Sequence, residues 1–268
     1  MIPAPVARLF NRPVALLPAH VQTIEQLLQV NAASALFETS EYGKRKPYQV
    51  IGGVAEIVVD GLLLDGDDWC GWGVTSYSAI RQAFNAALAD AVVQAIVLTI
   101  NSPGGVVNGC FDLADEIAAA RDIKPVWAIL NENAFSAAYA IASAASQIII
   151  PRTGGAGSIG VVWMHTDVTA MLAQAGIKIT TLQFGATKTD SYPTTTLTDA
   201  ARGRMQADVD AMGELFVDTV ARNRGLAASA VRDTEAATYL GAAAVTAGLA
   251  DAVQSPDQAF RALLTTLA

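Results

Sequence analysis

The run Ala95-Ile96-Val97-Leu98-Thr99-Ile100, stopped abruptly by Asn101-Ser102-Pro103-Gly104-Gly105, constrains the fold more than any other stretch of this sequence. A strand with one wet face alternates apolar and polar residues. A run without that alternation has to be covered on both faces, which is the habit of parallel sheets flanked by helices. The unit then repeats. Residues 109–121 read as a helix, Pro125–Leu130 (PVWAIL) as a second buried strand, Ala137–Ala145 as a helix of small residues, and Gln147–Ile150 as a third strand. Apolar strands alternating with helices predict βαβ units joined by right-handed crossovers, hence an α/β fold.

The flanks are read the same way. Residues 54–64 suggest strand, turn and strand, with the turn at Asp60-Gly61. Ile80, Phe84, Ala87 and Leu88 line one face of a helix over 76–89. The clearest helix spans 198–224: Met205, Val209, Met212, Phe216 and Val220 recur at helical spacing, with Thr198 as its cap and Gly225 as its stop. Residues 1–48 are poorly patterned, apart from a helical stretch at His20–Val30. The string KRKPYQ marks the boundary, so the expected division is an N-terminal extension, 1–48, and one catalytic-size domain, 49–268.

Composition closes off several function classes. A net charge of −8 opposes a general nucleic-acid binder, and the Lys44-Arg45-Lys46 cluster reads as a solvated linker. No run of eighteen apolar residues offers a membrane span, and the opening lacks the pattern of a signal peptide. A soluble intracellular protein is expected. Two cysteines, Cys70 and Cys110, and two histidines, His20 and His165, cannot supply a disulfide framework and are poor material for a metal centre. No metal and no cofactor are expected.

Open α/β sheets place ligands at the carboxyl ends of their strands, and three segments qualify. In Asn101-Ser102-Pro103-Gly104-Gly105, a proline and two glycines let backbone N–H groups face a cavity, where they can hold an oxyanion. In Asn133-Ala134-Phe135-Ser136-Ala137-Ala138-Tyr139, Ser136 stands before a helix whose N–H groups and dipole favour a nucleophile there, although a plain helix cap has the same pattern. The third segment, Thr153-Gly154-Gly155-Ala156-Gly157-Ser158-Ile159-Gly160, permits close backbone approach but lacks the pattern of a phosphate loop. A nucleophilic serine needs a base. His165 with Asp167 could serve, and so could Lys188 if burial keeps it neutral, a shift from about 10.4 to near 7 that costs roughly 4–5 kcal/mol. The residues alone leave both open.

Taken in order, NSPGG, KPVWAILNENAFSAAYAIASAA, GSIGV, GATKTDSYP and YLGAAAVTAGLADAV resemble the signal peptide peptidase A (SppA) family of serine peptidases, over roughly residues 50–255. That resemblance implies a ClpP/crotonase-like fold of repeated β-β-α units with a parallel sheet and a C-terminal helical segment. It makes Ser136 the nucleophile, Lys188 the general base and Ser158 the residue that orients the lysine. Gly105 or Gly104 and Ala137 would supply the oxyanion hole. Where many relatives carry glycine after the nucleophile, this chain has Ala137; a backbone donor survives that change. Within the family the chain is similar to the head-maturation proteases of tailed phages, as the FNRPVALLPAH opening and the DIKPVWA string suggest.

This implies scaffold and capsid proteins as substrates, self-processing, a homo-oligomer whose neighbours complete the site, and residence in the prohead within the host cytoplasm, away from membrane and nucleic acid. On the same resemblance, a scaffold-like extension of the kind that follows some of those peptidase domains is expected to be missing, removed or encoded elsewhere. A shallow pocket favouring small or apolar side chains at P1 is expected from the small residues after Ser136. Three other readings compete: a host SppA-type peptidase that degrades signal peptides, an inactive assembly scaffold, and a crotonase-type acyl-CoA hydratase or isomerase using Glu132.

Overall fold

The residues described in the computed structural model are 13–16, 47–66, 70–71 and 73–267. The expected helix at His20–Val30 and the Lys44-Arg45-Lys46 cluster lie outside them. One sheet contains β1 (Pro13–Leu16), β2 (Gln49–Ile51), β3 (Val54–Leu64), β4 (Cys70–Gly71), β5 (Val74–Ser76), β6 (Ala95–Val106), β7 (Val126–Phe135), β8 (Gln147–Ile150), β9 (Gly155–Gly157), β10 (Val162–Trp163), β11 (Thr238–Leu240) and β12 (Ala252–Val253). The helices are α1 (Tyr77–Ala89), α2 (Cys110–Ala119), α3 (Ala137–Ser143), α4 (Thr169–Gln174), α5 (Asp199–Arg224), α6 (Ala228–Arg232), α7 (Ala242–Thr246) and α8 (Pro256–Thr266).

The unalternating run at 95–100 is covered on both faces, as its composition requires. Ile96, Leu98 and Ile100 join the large core shared with α1, α2 and α3. Ala95 and Val97 point the other way, into a second core with Ile129, Ile149 and the α8 residues Ala259 and Leu263. The same split divides Ile148 and Ile150 from Ile149. Each such aliphatic side chain, fully buried, contributes about 1.5–3 kcal/mol. Central pairings β3–β6, β6–β7 and β7–β8 are parallel.

Three strands run past the points where turns or loops are expected. Asp60-Gly61 is not a turn: β3 continues through it, with only a register shift against β6 between Asp60 and Leu62. Gly61 makes this possible. Its φ is +70°, and a Cβ there would stand 2.0 Å from the carbonyl oxygen of Gly73, so the chain bulges where only glycine fits. Likewise NSPGG lies inside β6 and most of NENAFS inside β7. The reason is that new partners appear beyond the parallel ladder: β9 beside 133–135, and β1 beside 104–106.

The helical expectations for 76–89 and 198–224 agree with the structure to within a residue. Thr198 Oγ1 accepts from the N–H of Ala201 at 3.1 Å, and Gly225 ends α5 in the left-handed conformation at φ 66°. The last turn of α5 is tied to the sheet by Arg224, whose side chain is 9% exposed. Its guanidinium donates to both carboxylate oxygens of Asp251, which also accepts the N–H of Ile148 at 2.7 Å. Asp251→Ala strands a buried cation and a strand amide. We expect a loss of about 2–3 kcal/mol, below the range for a fully buried pair because Asp251 is partly exposed, read as a lower chemical-denaturation midpoint.

Candidate active site

β6 and β7 run parallel, with Ser102 opposite Ala134. Gly104 follows Ser102 by two residues on β6, and Ser136 follows Ala134 by two, one residue past the end of β7, so both strands lead to the same end of the sheet. Ser136 is 1% exposed and sits at φ 54°, ψ −123°, a conformation that a residue with a Cβ occupies only at a cost of about 1–3 kcal/mol. The surrounding structure holds it there. Its N–H donates to the carbonyl of Gly157 at 2.8 Å, while α3 starts at the next residue.

Ser136 occupies the cap position of α3, yet its side chain makes no capping bond. The hydroxyl instead donates to the carbonyl of Gly160 across a long 3.4 Å. A serine placed merely to cap would turn its oxygen toward the helix amides. Here the oxygen is left free of them, and the N–H groups of the first turn of α3, Ala137's among them, have no intrahelical acceptor.

The backing of the site is rigid. Every residue of α3 is buried. Tyr139 donates its hydroxyl to the carbonyl of Leu249 at 3.0 Å. The guanidinium of Arg121 donates to the carbonyls of Ser143 and Ala144 at the end of the helix, where a cation complements the dipole. Cys110, on α2, donates its thiol to the carbonyl of Ala137 at 3.4 Å. Burial pushes that thiol up to about 12, with the Tyr77 hydrogen bond opposing and the charge of Asp112 adding to the rise. Thiolate is the reactive form. Cys110 is therefore expected to resist a disulfide reagent at pH 8 in the folded protein and to react promptly in denaturant; equal rates in both states would refute its burial.

Gly105 is needed for close approach. A Cβ on it would fall 1.8 Å from the carbonyl oxygen of Leu63. Gly104, at φ 103°, donates its N–H to Ser102 Oγ at 3.1 Å. Ser158 follows Gly157 and is 4% exposed; its φ is 55°, and its N–H donates to the carbonyl of Ala237 at 2.9 Å. The structure thus brings together Ser136, Ala137, Gly104, Gly105 and Ser158.

Lys188 is not brought to them. It lies in a run of turns, exposed, and its ammonium has no hydrogen bond or ion pair among the described residues. From Gly160 to Ala200 no residue is buried, and Met171, Ile177, Ile179, Leu182, Phe184 and Tyr192 all stand exposed there. Asp190, the charge nearest in sequence, is held by Arg204 at 2.7 Å.

The histidine alternative lacks its geometry as well. Both ring nitrogens of His165 are buried without a hydrogen-bond partner among the described residues. Asp167 spends one carboxylate oxygen on the N–H and hydroxyl of Thr169, which hold its carboxyl below the usual range, and does not orient the imidazole. Glu132 is exposed, at φ 122°, and accepts from Thr153 Oγ1 at 3.3 Å. Among the described residues no group of three or more histidine, cysteine, aspartate or glutamate side chains is placed to hold a metal, and no helix is long and apolar enough to cross a membrane.

Residues 118–267, more than half of the chain and including Ser136, Ser158 and Lys188, match the family described as Peptidase family S49. The chain belongs to peptidase family S49. Among S49-related sequences it is 37% identical to the head-tail preconnector protein GP5 of Enterobacteria phage P21, over 98% of this chain and 57% of that protein. It is 38% identical to the capsid assembly protease C of Escherichia phage lambda, over 83% of this chain and 51% of that one. Protease 4 of Salmonella typhi is 35% identical over 51% of this chain and 22% of its own length. The chain thus spans little more than half the length of the phage relatives. Among solved structures, an enoyl-CoA hydratase from Shewanella pealeana shares the fold with a TM-score of 0.51, covering 82% of this chain and 72% of that one. At 12% identity that likeness speaks to the fold alone, and the fold is the crotonase type expected.

Sequence reasoning missed β1. Its four residues, the first of them Pro13 and with Pro18 close behind, carry too short a pattern to read as a strand, and their partners lie some 90 and 150 residues away.

Proposed function

We propose that this S49 chain is a serine endopeptidase of phage head maturation, acting on scaffold and capsid proteins inside the prohead in the host cytoplasm. The observation that carries the reading is the strained, buried Ser136, whose hydroxyl makes no capping bond and which follows directly on the end of β7. Ser136 Oγ attacks the scissile carbonyl, and neutral Lys188 takes its proton. The oxyanion is received by the N–H groups of Ala137 and of the Gly104-Gly105 pair. Lys188 passes the proton to the leaving amine. Water, deprotonated by the same lysine, then releases the acyl group. Ser158 orients Lys188 once the lysine reaches the site.

A lysine serves as base near neutral pH only where burial disfavours its charge. Lys188 is exposed in the single chain, on a segment lined with exposed apolar side chains. The active form is accordingly a homo-oligomer in which a second copy covers this segment and completes the site. The test is hydrolysis of unfolded casein together with mass-mapped labelling by a fluorophosphonate. An adduct on Ser136 and cleavage that disappears in Ser136→Ala support the reading. An unlabelled, inactive assembly leaves the chain a scaffold.

A further inference from the structure

β1 lies where a peptide substrate of this site has to lie. Up to Ser102, β6 is flanked by β3 on one side and β7 on the other. After Phe135 the chain of β7 turns away into α3, and the place beside β6 falls vacant just past Ser136. β1 fills it. Val14, Ala15 and Leu16 pair antiparallel with Val106, Gly105 and Gly104, while Pro13 and Val14 pair on the other edge with Trp163 and Val162 of β10. β3 still holds the far side of Gly104 and Gly105. The slot is therefore a strand-wide gap between the two edges that flank the serine, and β-strand addition is the usual way a peptide is held in such a gap.

The register identifies which residue meets the nucleophile. Ser102 pairs with Ala134, two residues before Ser136, and Leu16 pairs with Gly104, two residues after Ser102. The sense also fits. A strand running antiparallel to β6 enters from Val106 and delivers its carboxyl-terminal end to Gly104, with Val14 (1% exposed) held in the core behind.

We propose that Pro13–Leu16 is an internal substrate strand, and that Ser136 cleaves the peptide bond on the carboxyl side of Leu16. This rests on the reading of Ser136 as nucleophile and names its first substrate. Ser136 Oγ bonds to the Leu16 carbonyl carbon and loses its proton to the base. The C–N bond to residue 17 breaks, and the proton leaves on the new amine. One water molecule hydrolyses the Leu16 ester, restoring the Ser136 hydroxyl and freeing residues 1–16. Until that strand departs, it competes with other substrates for the slot.

The experiment is intact-mass analysis of the full chain, incubated in concentrated solution, with casein hydrolysis followed in parallel. Wild type should lose the mass of residues 1–16 and begin at residue 17, while Ser136→Ala stays whole. Leu16→Asp, which puts a charge where a carbonyl must be desolvated, should slow this cut roughly 100-fold. Casein cleaved by a chain that keeps residues 1–16, or cut elsewhere in its N-terminal region, overturns the internal substrate while sparing the proposed function. A cut after residue 16 at an undiminished rate in Leu16→Asp overturns the register. No casein cleavage and no adduct on Ser136 overturn both readings.

Discussion

Ser136→Ala is expected to lower kcat on casein by about 10⁴- to 10⁶-fold without lowering the melting temperature. The two halves of that statement have one origin. Ser136 holds φ 54° against its Cβ because flanking strands and α3 fix both of its neighbours, and its hydroxyl contributes only a 3.4 Å bond to Gly160. Removing that oxygen takes away the proposed nucleophile and almost nothing from the fold. Ser136→Gly goes further, since glycine adopts this backbone freely; the stability should rise by about 1 kcal/mol while activity is lost. Lys188→Ala should match the activity loss of Ser136→Ala, and the double variant should lose no more than either, because nucleophile and base act as a unit. Lys188→Arg should not restore activity, as a guanidinium does not give up its proton. The decisive measurements are casein hydrolysis rates and thermal melts of the five variants. A Lys188→Ala enzyme within tenfold of wild type sinks the dyad. A Ser136→Ala protein that melts far below wild type makes the serine structural.

The legible parts of this fold were those whose physics is local. Residues 95–100 announce a strand covered on both faces, and the cores on either side of Ile96 and Val97 bear this out. Thr198 and Gly225 bound α5 because caps act within one turn. What depends on distant partners was harder to see. Asp60-Gly61 reads as a turn until Gly73 is known to press against it from the turn that precedes β5. The glycine motifs pointed to chemistry, but the continuation of β6 through them depends on β1, which no periodicity reveals. The hydroxyl of Ser136 could have been a cap from sequence, and only its geometry separates it from one. Lys188 lies at the other extreme. No residue of the roughly forty around it is buried as a whole, so no pattern in the single chain brings it to the serine.

That stretch yields the second large effect. Phe184 is 101% exposed and Leu182 94%, in the same turns that carry Lys188. Contiguous exposed apolar side chains of this kind mark an interaction surface. If a second copy buries both, they contribute together about 3–6 kcal/mol to the contact, equivalent to roughly 10²- to 10⁴-fold in its dissociation constant. Specific activity of the wild type should therefore rise with protein concentration and level off as the assembly fills. The pair Leu182→Asp and Phe184→Asp, both on the surface of the single chain, should leave its melting temperature unchanged. It should also shift the rise in activity to concentrations at least about 100-fold higher. Sedimentation velocity and casein hydrolysis over one dilution series read both quantities at once. Coincident curves tie catalysis to the covering of Lys188 by a neighbour. Full specific activity in a dilute monomer would mean that the chain buries Lys188 by folding its own 160–200 segment onto the serine, and the oligomer would then have no part in the chemistry.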